Sequence, residues 1–270
     1  MKKSTFILLC ITVCGLTACS EQKINEWACG HKMGQMRCNN AIVDADKNKE
    51  YDKARKYLEL SANYGNPKMQ AGLGLWYQHD KYGEKDYQKA LYWLQKSAEQ
   101  GNKDGQSALA DTYMNGWGVK QDYAKAFDLY KKSAEQGDVN SQFHLGYMYA
   151  NGYGVQQDYK LAMEWYQKAA EKGNPRAQVF IGILYNEGLG VKQDHTLALQ
   201  WLEKAANQNF ASAFTLIGDM YKNDPEVEKK SIKAKEYLII AKEYYEKGCN
   251  AGSQVSCNKI ENMKKEISNL

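Results

Sequence analysis

Four residue types could carry chemistry in this chain: cysteine, histidine, paired carboxylate and closely spaced glycine. Seven cysteines occur. Cys10, Cys14 and Cys19 lie near the start, Cys29 and Cys38 follow, and Cys249 and Cys257 stand near the other end. The last four form two local pairs. An oxidising compartment would permit Cys29–Cys38 and Cys249–Cys257 disulfides, with free thiols as the alternative. A zinc site using all four is disfavoured, because the pairs are far apart and lack short ligand spacing. His31, His79, His144 and His195 share no helix face, so neither a zinc pair nor a repeated catalytic base is suggested. The carboxylates fall on charged faces or at helix starts, not in a convergent desolvated pair. Glycine pairs such as Gly116-Trp117-Gly118 lack the strand–turn–helix context of a phosphate cradle. No catalytic residue, metal ligand or cofactor is therefore expected.

The elements that hold these residues repeat. Gly65, Gly101, Gly137 and Gly173 are evenly spaced at 36 residues, with Asn209 at the next step. Ala54, Ala90, Ala126, Ala162, Ala198 and Ala234 keep the interval, as do Tyr77, Tyr113, Tyr149, Tyr185 and Tyr221. Such a period predicts a stacked array in which each unit buries its apolar face against its neighbours. A hydrophobic content of 43%, charged content of 25% and only three prolines agree with a helix-rich, water-facing chain. The formal charge of +4 falls to +2 without Lys2 and Lys3. With both signs interspersed and no basic block, nucleic-acid binding is disfavoured.

In the unit from Gly137, residues Asn140 to Ala150 read as a first helix with Leu145, Gly146 and Tyr149 on a buried seam. Gly146 and its equivalents Gly74, Ala110, Gly182 and Gly218 are all tiny, which predicts close helix–helix approach. Asn151-Gly152-Tyr153-Gly154 breaks the helix. Asp158, with Asp86, Asp122 and Asp194 in register, reads as the N-cap of a second helix. That helix runs to about Lys172 with Ala162, Trp165 and Ala169 on its buried face. The expected fold is all-α: a right-handed α-solenoid of antiparallel helix pairs.

The string G-[DN]-x-x-[AS]-Q-x-x-L-G-x-x-Y-x-x-G-x-G-V-x-Q-D-Y-x-x-A, from Gly137 to Ala162, resembles the Sel1-like repeat, a relative of the tetratricopeptide repeat. Matches also start at Gly101 and Gly173. From Gly65 the helices match, but His79-Asp80-Lys81-Tyr82-Gly83 replaces the glycine turn, and the unit from Asn209 carries Asn223-Asp224-Pro225 there. The resulting organisation is a signal segment at 1–18, a tether and cap at 19–48 and a half repeat at 49–64. Five repeats follow at 65–247, then a capping segment at 248–270 with Ile260, Met263 and Ile267. The start, two lysines and an apolar run ending Leu16-Thr17-Ala18-Cys19, resembles a bacterial lipoprotein signal; an ordinary signal cleaved after Ala18 is the alternative. The resemblance implies acylation of Cys19 and, with Ser20 following, an outer-membrane anchor facing the periplasm.

Members of the repeat family mostly act as adaptors and scaffolds, so the resemblance implies a protein partner. The internal alignment indicates where it would sit. First-helix positions equivalent to Phe143, Tyr147 and Ala150 form one stripe and vary among units, whereas Leu145, Gly146 and Tyr149 barely vary. Related arrays line a concave face with their first helices. The expected contact residues are Leu75, Asp111, Phe143, Tyr147, Val179, Ile183 and Asp219, an apolar patch with a polar rim. Burial of the same side chains between neighbouring helices is the alternative. Trp117, Tyr153 and Leu189 share one loop position and read as either a second contact edge or packing over the adjacent turn. The partner could be an envelope protein or a toxin effector, since similar lipoproteins neutralise antibacterial phospholipases delivered by type VI secretion. Cysteine-rich relatives described as penicillin-binding proteins or β-lactamases raise an enzymatic alternative. Here the serine signature is matched only by Ser20-Glu21-Gln22-Lys23, without its companion motifs, so an enzyme is not expected.

Overall fold

The structure, a computed structural model, describes residues 21–29, 35–79, 85–223, 231–250 and 254–268. The signal segment 1–18, Cys19, His31, the Asp80–Gly83 stretch and the Asp224-Pro225 turn lie outside the described residues. Everything regular among the described residues is α-helix. One compact unit ends at Asp138 and another begins at Val139. The first contains α1 (Glu21–Cys29), α2 (Gln35–Lys47), α3 (Tyr51–Asn63), α4 (Pro67–Gln78), α5 (Tyr87–Glu99), α6 (Lys103–Asn115) and α7 (Tyr123–Glu135). The second contains α8 (Val139–Asn151), α9 (Tyr159–Glu171), α10 (Pro175–Glu187), α11 (His195–Ala206), α12 (Ala211–Asn223), α13 (Ser231–Asn250) and α14 (Gln254–Ser268). Within each unit every first helix packs on the second helix of its own repeat, and each second helix packs on the next first helix.

The caps explain where these helices start and stop. Asn66, Asn102 and Asn174 cap first helices, each accepting from backbone N–H groups of the opening turn. Pro67 and Pro175 open their helices at a position where the missing N–H costs nothing. The second helices begin at Asp86, Asp122, Asp158 and Asp194, each with its carboxylate on first-turn N–H groups. Gly116 and Gly188 then stop first helices in the left-handed conformation, at φ 70° and 69°. The second glycine of the turn has two constraints. Gly190 also has φ +70°, and a Cβ there would lie 2.7 Å from Tyr159 Cβ and 2.8 Å from its carbonyl carbon.

Two further motif residues close the turn. The N–H of each capping Asp donates to a first-helix Tyr carbonyl at 2.9 Å: Asp86 to Tyr77, Asp122 to Tyr113, Asp158 to Tyr149 and Asp194 to Tyr185. The glutamine before the Asp donates to the end of the first helix, with Gln121, Gln157 and Gln193 on the carbonyls of Met114, Ala150 and Asn186 at 2.7 Å. These bonds satisfy carbonyls that the helix end would otherwise leave open.

The core follows the small-residue seam. A Cβ on Gly74 would come within 2.5 Å of Leu94, one on Gly146 within 2.7 Å of Tyr166, and one on Gly182 within 2.8 Å of Leu202. Ala110 is fully buried in the remaining repeat. On α9 the expected face needs one correction. Ala162 and Ala169 are fully buried, but Trp165 is only partly so. The fully buried residue is Tyr166, which lies across Gly146. Trp165 instead carries the Lys168 ammonium 3.7 Å above its ring. The register shifts by one position because the hole left by Gly146 faces residue 166.

Buried polar groups also join the two helices of a repeat. Gln70, Gln106 and Gln178 are nearly buried. Each accepts from a glutamine thirty residues on: Gln100 and Gln136 at 2.7 Å, and Gln208 at 2.8 Å. Each bond ties the start of a first helix to a glutamine at the end of the second helix of the same repeat, so the pairing helps fix how the two helices of that repeat meet. At the ends, Cys29 is bonded to Cys38 and Cys249 to Cys257, with Cα–Cα distances of 4.7 and 4.8 Å. Ile260 and Met263 of α14 are buried with Leu238, Ala241 and Tyr245 of α13, and Ile267 packs against them.

Candidate protein-interaction face

Of the variable stripe on the first helices, the middle position is at least partly open in every repeat, whereas the positions before and after it are buried in some repeats and half-buried in others. Leu75 is exposed, and Asp111 is half-buried in the first unit; Tyr147, Ile183 and Asp219 are half-buried in the second. Phe143 and Val179, expected on the same open stripe, are 5% exposed. The Phe143 ring is enclosed by Tyr166 at 5.8 Å and Phe180 at 5.6 Å. Val179 packs in a cluster with Leu202, Ala205, Ala206, Ala213 and Ile217. The position one turn before the open row faces the next repeat's helices, which is why Ala71 in the first unit is buried as well.

Each residue of the open row is backed by a second-helix residue, and both members vary among repeats. Behind Leu75 lies Leu94, and behind Ile183 lies Leu202, each over the adjacent glycine. In the α6/α7 repeat the backing residue is Tyr130, whose hydroxyl donates a short hydrogen bond to Asp111. Burial, and then the Asp111 carboxylate, push the Tyr130 phenol far above its usual range. In the α8/α9 repeat the equivalent pair is Tyr147 and Tyr166.

Around Tyr147 the second unit gathers aromatic side chains. Phe180 meets Tyr147 edge-on at 5.8 Å and stacks on Tyr166 at 5.3 Å. Tyr153 lies 5.8 Å from Tyr147, and the Arg176 guanidinium sits 5.8 Å from the Phe143 ring. Phe180 is half-buried and lies outside the sequence-based stripe. The position it shares with Gly72, Ala108, His144 and Leu216 varies as freely as the open row, and that variation was the available signal. The loop residues pack over neighbours: Trp117 stacks on Tyr87 at 6.5 Å, Tyr153 covers Tyr147, and Leu189 lies against the second unit's core. Trp117 remains 37% exposed.

The second helices carry a feature that no sequence reading singled out. Lys96, Lys168 and Lys204 each lie over the tryptophan three residues earlier, at 5.6, 3.7 and 3.8 Å. The W-x-x-K spacing was its signal, since residues three apart share a helix face. Among the described residues no cluster of His, Cys, Asp and Glu is arranged to hold a metal ion. No described helix is long and apolar enough to cross a membrane.

Comparison with known proteins agrees with this geometry. The Sel1 repeat family model matches residues 32–66, 67–102, 103–138, 139–174, 175–210 and 215–253. The first match therefore takes in α2 together with α3. A Sel1 repeat protein from Oxalobacter formigenes is 31% identical over 76% of this chain and 86% of its own, with a TM-score of 0.69. A protective antigen of uropathogenic Escherichia coli strains, described as displaying the same repeat fold, is 25% identical over 98% of this chain and 65% of its own, with a TM-score of 0.66. An immunity protein from Pseudomonas aeruginosa is 26% identical over 66% of each chain, with a TM-score of 0.47. A comparison with the curated proteins finds no match. With matched repeats covering most of its length and caps, turn and seam all explained by them, the chain belongs to the Sel1 repeat family, whose solenoid is a protein-interaction fold.

Proposed function

We propose that this protein is a periplasm-facing lipoprotein of the outer membrane that binds another protein through the open row of its first helices. One observation carries the binding reading. Leu75, Asp111, Tyr147, Ile183 and Asp219 occupy the stripe position that is at least partly open in every repeat, and their chemistry changes from repeat to repeat. The residues around them are held by packing. A repeat framework with one variable open position presents a specific surface on a constant scaffold. No bond chemistry is assigned to it.

The location rests on three supports. The start resembles a lipoprotein signal, which would make Cys19 the first mature residue. The Cys29–Cys38 and Cys249–Cys257 bonds suit an oxidising compartment. The Escherichia coli relative is a protective antigen, which fits a protein at the cell envelope. Loss of detergent-phase partitioning on Cys19→Ser tests the anchor; unchanged partitioning removes it.

The binding face is tested with a photo-crosslinking residue placed at 75, 111, 147, 183 or 219, and at Tyr92 on a second helix as control. The expected result is a partner crosslinked from row positions of at least one unit and not from 92. Leu75→Asp, at an exposed position, should reduce capture from the first unit's row while leaving the melting temperature unchanged. Crosslinks from 92 alone, or from neither, overturn the reading. The captured partner decides between an envelope protein and a toxin effector.

A further inference from the structure

Tyr130 and Tyr166 hold the same position in successive repeats, and each lies against a small residue of its first helix. Their hydroxyls fare differently. Tyr130 donates to the Asp111 carboxylate. Where Asp111 stood, the next repeat has Tyr147, and the Tyr166 hydroxyl has no hydrogen-bond partner although the residue is 0% exposed. A buried donor without an acceptor is costly, and it persists in a folded protein when something else is gained. Tyr166 lies across Gly146, and burial, then the Tyr147 phenol, push its own phenol far above the usual range.

A cation stands beside the same cluster. Arg176 opens α10, is exposed, and lies over the Phe143 ring at 5.8 Å. It makes no ion pair among the described residues. Tyr166 and Arg176 thus both neighbour the Phe143 ring, with the half-buried Tyr147 and Phe180 beside it. An unpaired cation, a buried hydroxyl donor and an apolar wall together complement a carboxylate borne on an apolar segment. The charge would be paired and hydrogen-bonded, which is the condition for burying it.

We infer that this aromatic cluster receives an acidic side chain of the partner protein, which takes from Tyr166 the hydrogen bond that Asp111 takes from Tyr130. Tyr147, at the open row, swings aside to admit it, and Arg176 pairs with its charge. The inference rests on the protein-binding reading above and names the chemistry recognised at one point of that face.

The test uses the purified chain and fluorescent acetylated octapeptides with a central Asp flanked by Leu and Phe, against their Asn counterparts. Anisotropy should show the Asp peptides binding at least about tenfold more tightly. Arg176→Glu should remove that preference. Tyr166→Phe should remove it too, with no fall in melting temperature, because the orphaned hydroxyl is gone. Tyr147→Asp supplies the carboxylate from within the chain, as Asp111 does, and should raise the melting temperature while blocking the Asp peptides. Equal binding of Asp and Asn peptides, no binding of Asp peptides up to about 1 mM, or preference retained in both Arg176→Glu and Tyr166→Phe overturns the inference. If crosslinks from the row persist in that case, the face still binds protein and only its acid selectivity is lost. If row crosslinks fail as well, the function itself falls.

Discussion

Gly72 and Gly74 lie two residues apart on α4 (Pro67–Gln78), and alanine at each should move stability in opposite directions. Alanine gains about 1 kcal/mol over glycine in a helix interior. At Gly72 the new Cβ would meet only Leu58 Cδ2, at 3.5 Å, an ordinary contact. Most of the gain should survive, so Gly72→Ala is expected to stabilise by about 0.5–1 kcal/mol. At Gly74 the Cβ would lie 2.5 Å from Leu94 Cγ, 2.6 Å from its Cδ2 and 3.2 Å from the Ala90 carbonyl oxygen. Leu94 is fully buried in a core cluster and the Ala90 carbonyl is backbone, so relief requires repacking Leu94 or separating α4 and α5. Overpacking of this kind costs about 1–3 kcal/mol. Ala110 occupies the same position in the next repeat and is fully buried, which shows that a repeat built around a methyl can hold one and favours the lower end. The net for Gly74→Ala is a loss of up to about 2 kcal/mol, and the two variants should differ by about 2 kcal/mol. At about 2–4 °C per kcal/mol, that is a gap of about 4–8 °C. Thermal melts followed by far-UV circular dichroism, with urea midpoints at unchanged slope, would measure it. A Gly74→Ala protein as stable as Gly72→Ala would refute close approach as the reason for the small-residue seam.

Phe143→Ala should lose about 3–5 kcal/mol, because its ring is enclosed by Tyr166 and Phe180, while Ile183→Ala should stay within about 1 kcal/mol. Urea unfolding decides, and a near-neutral Phe143→Ala would return that residue to the open surface. Asp122 accepts from the Lys125 N–H at 3.0 Å, and this bond holds its carboxyl below the ordinary value. A depressed carboxyl contributes stability that is complete above about pH 4 and lost as pH falls through the folded value. Asp122→Asn keeps a capping oxygen but does not titrate. Its melting temperature should match the parent near neutrality and fall less steeply below about pH 4; parallel acid limbs would show that the cap contributes nothing to acid unfolding.

Much of the fold was legible because the repeat supplies its own alignment. The capping role of Asp86, Asp122, Asp158 and Asp194, the turn glycines, the small seam at Gly74, Gly146, Gly182 and Gly218, and the two cysteine pairs all follow from local chemistry. A cap, a left-handed turn and a short crosslink each depend on a few neighbouring residues. Trp165 and Phe143 show the limit. Periodicity puts both on plausible faces, but a one-residue shift around the helix decides which aromatic fills the hole at Gly146. Whether position 143 is open depends on side chains thirty-seven residues away, at Phe180.

The candidate site divides in the same way. By itself the sequence determined the helix pairs, their stops and starts, and the row that varies from repeat to repeat. Only the tertiary structure decided that Phe143 and Val179 belong to the core while Tyr147 and Ile183 remain open, that Tyr130 spends its hydroxyl on Asp111, and that Tyr166 keeps its own unspent. Periodicity fixes the direction in which a side chain leaves its helix. Burial and hydrogen bonding depend on what the neighbouring helices bring to meet it.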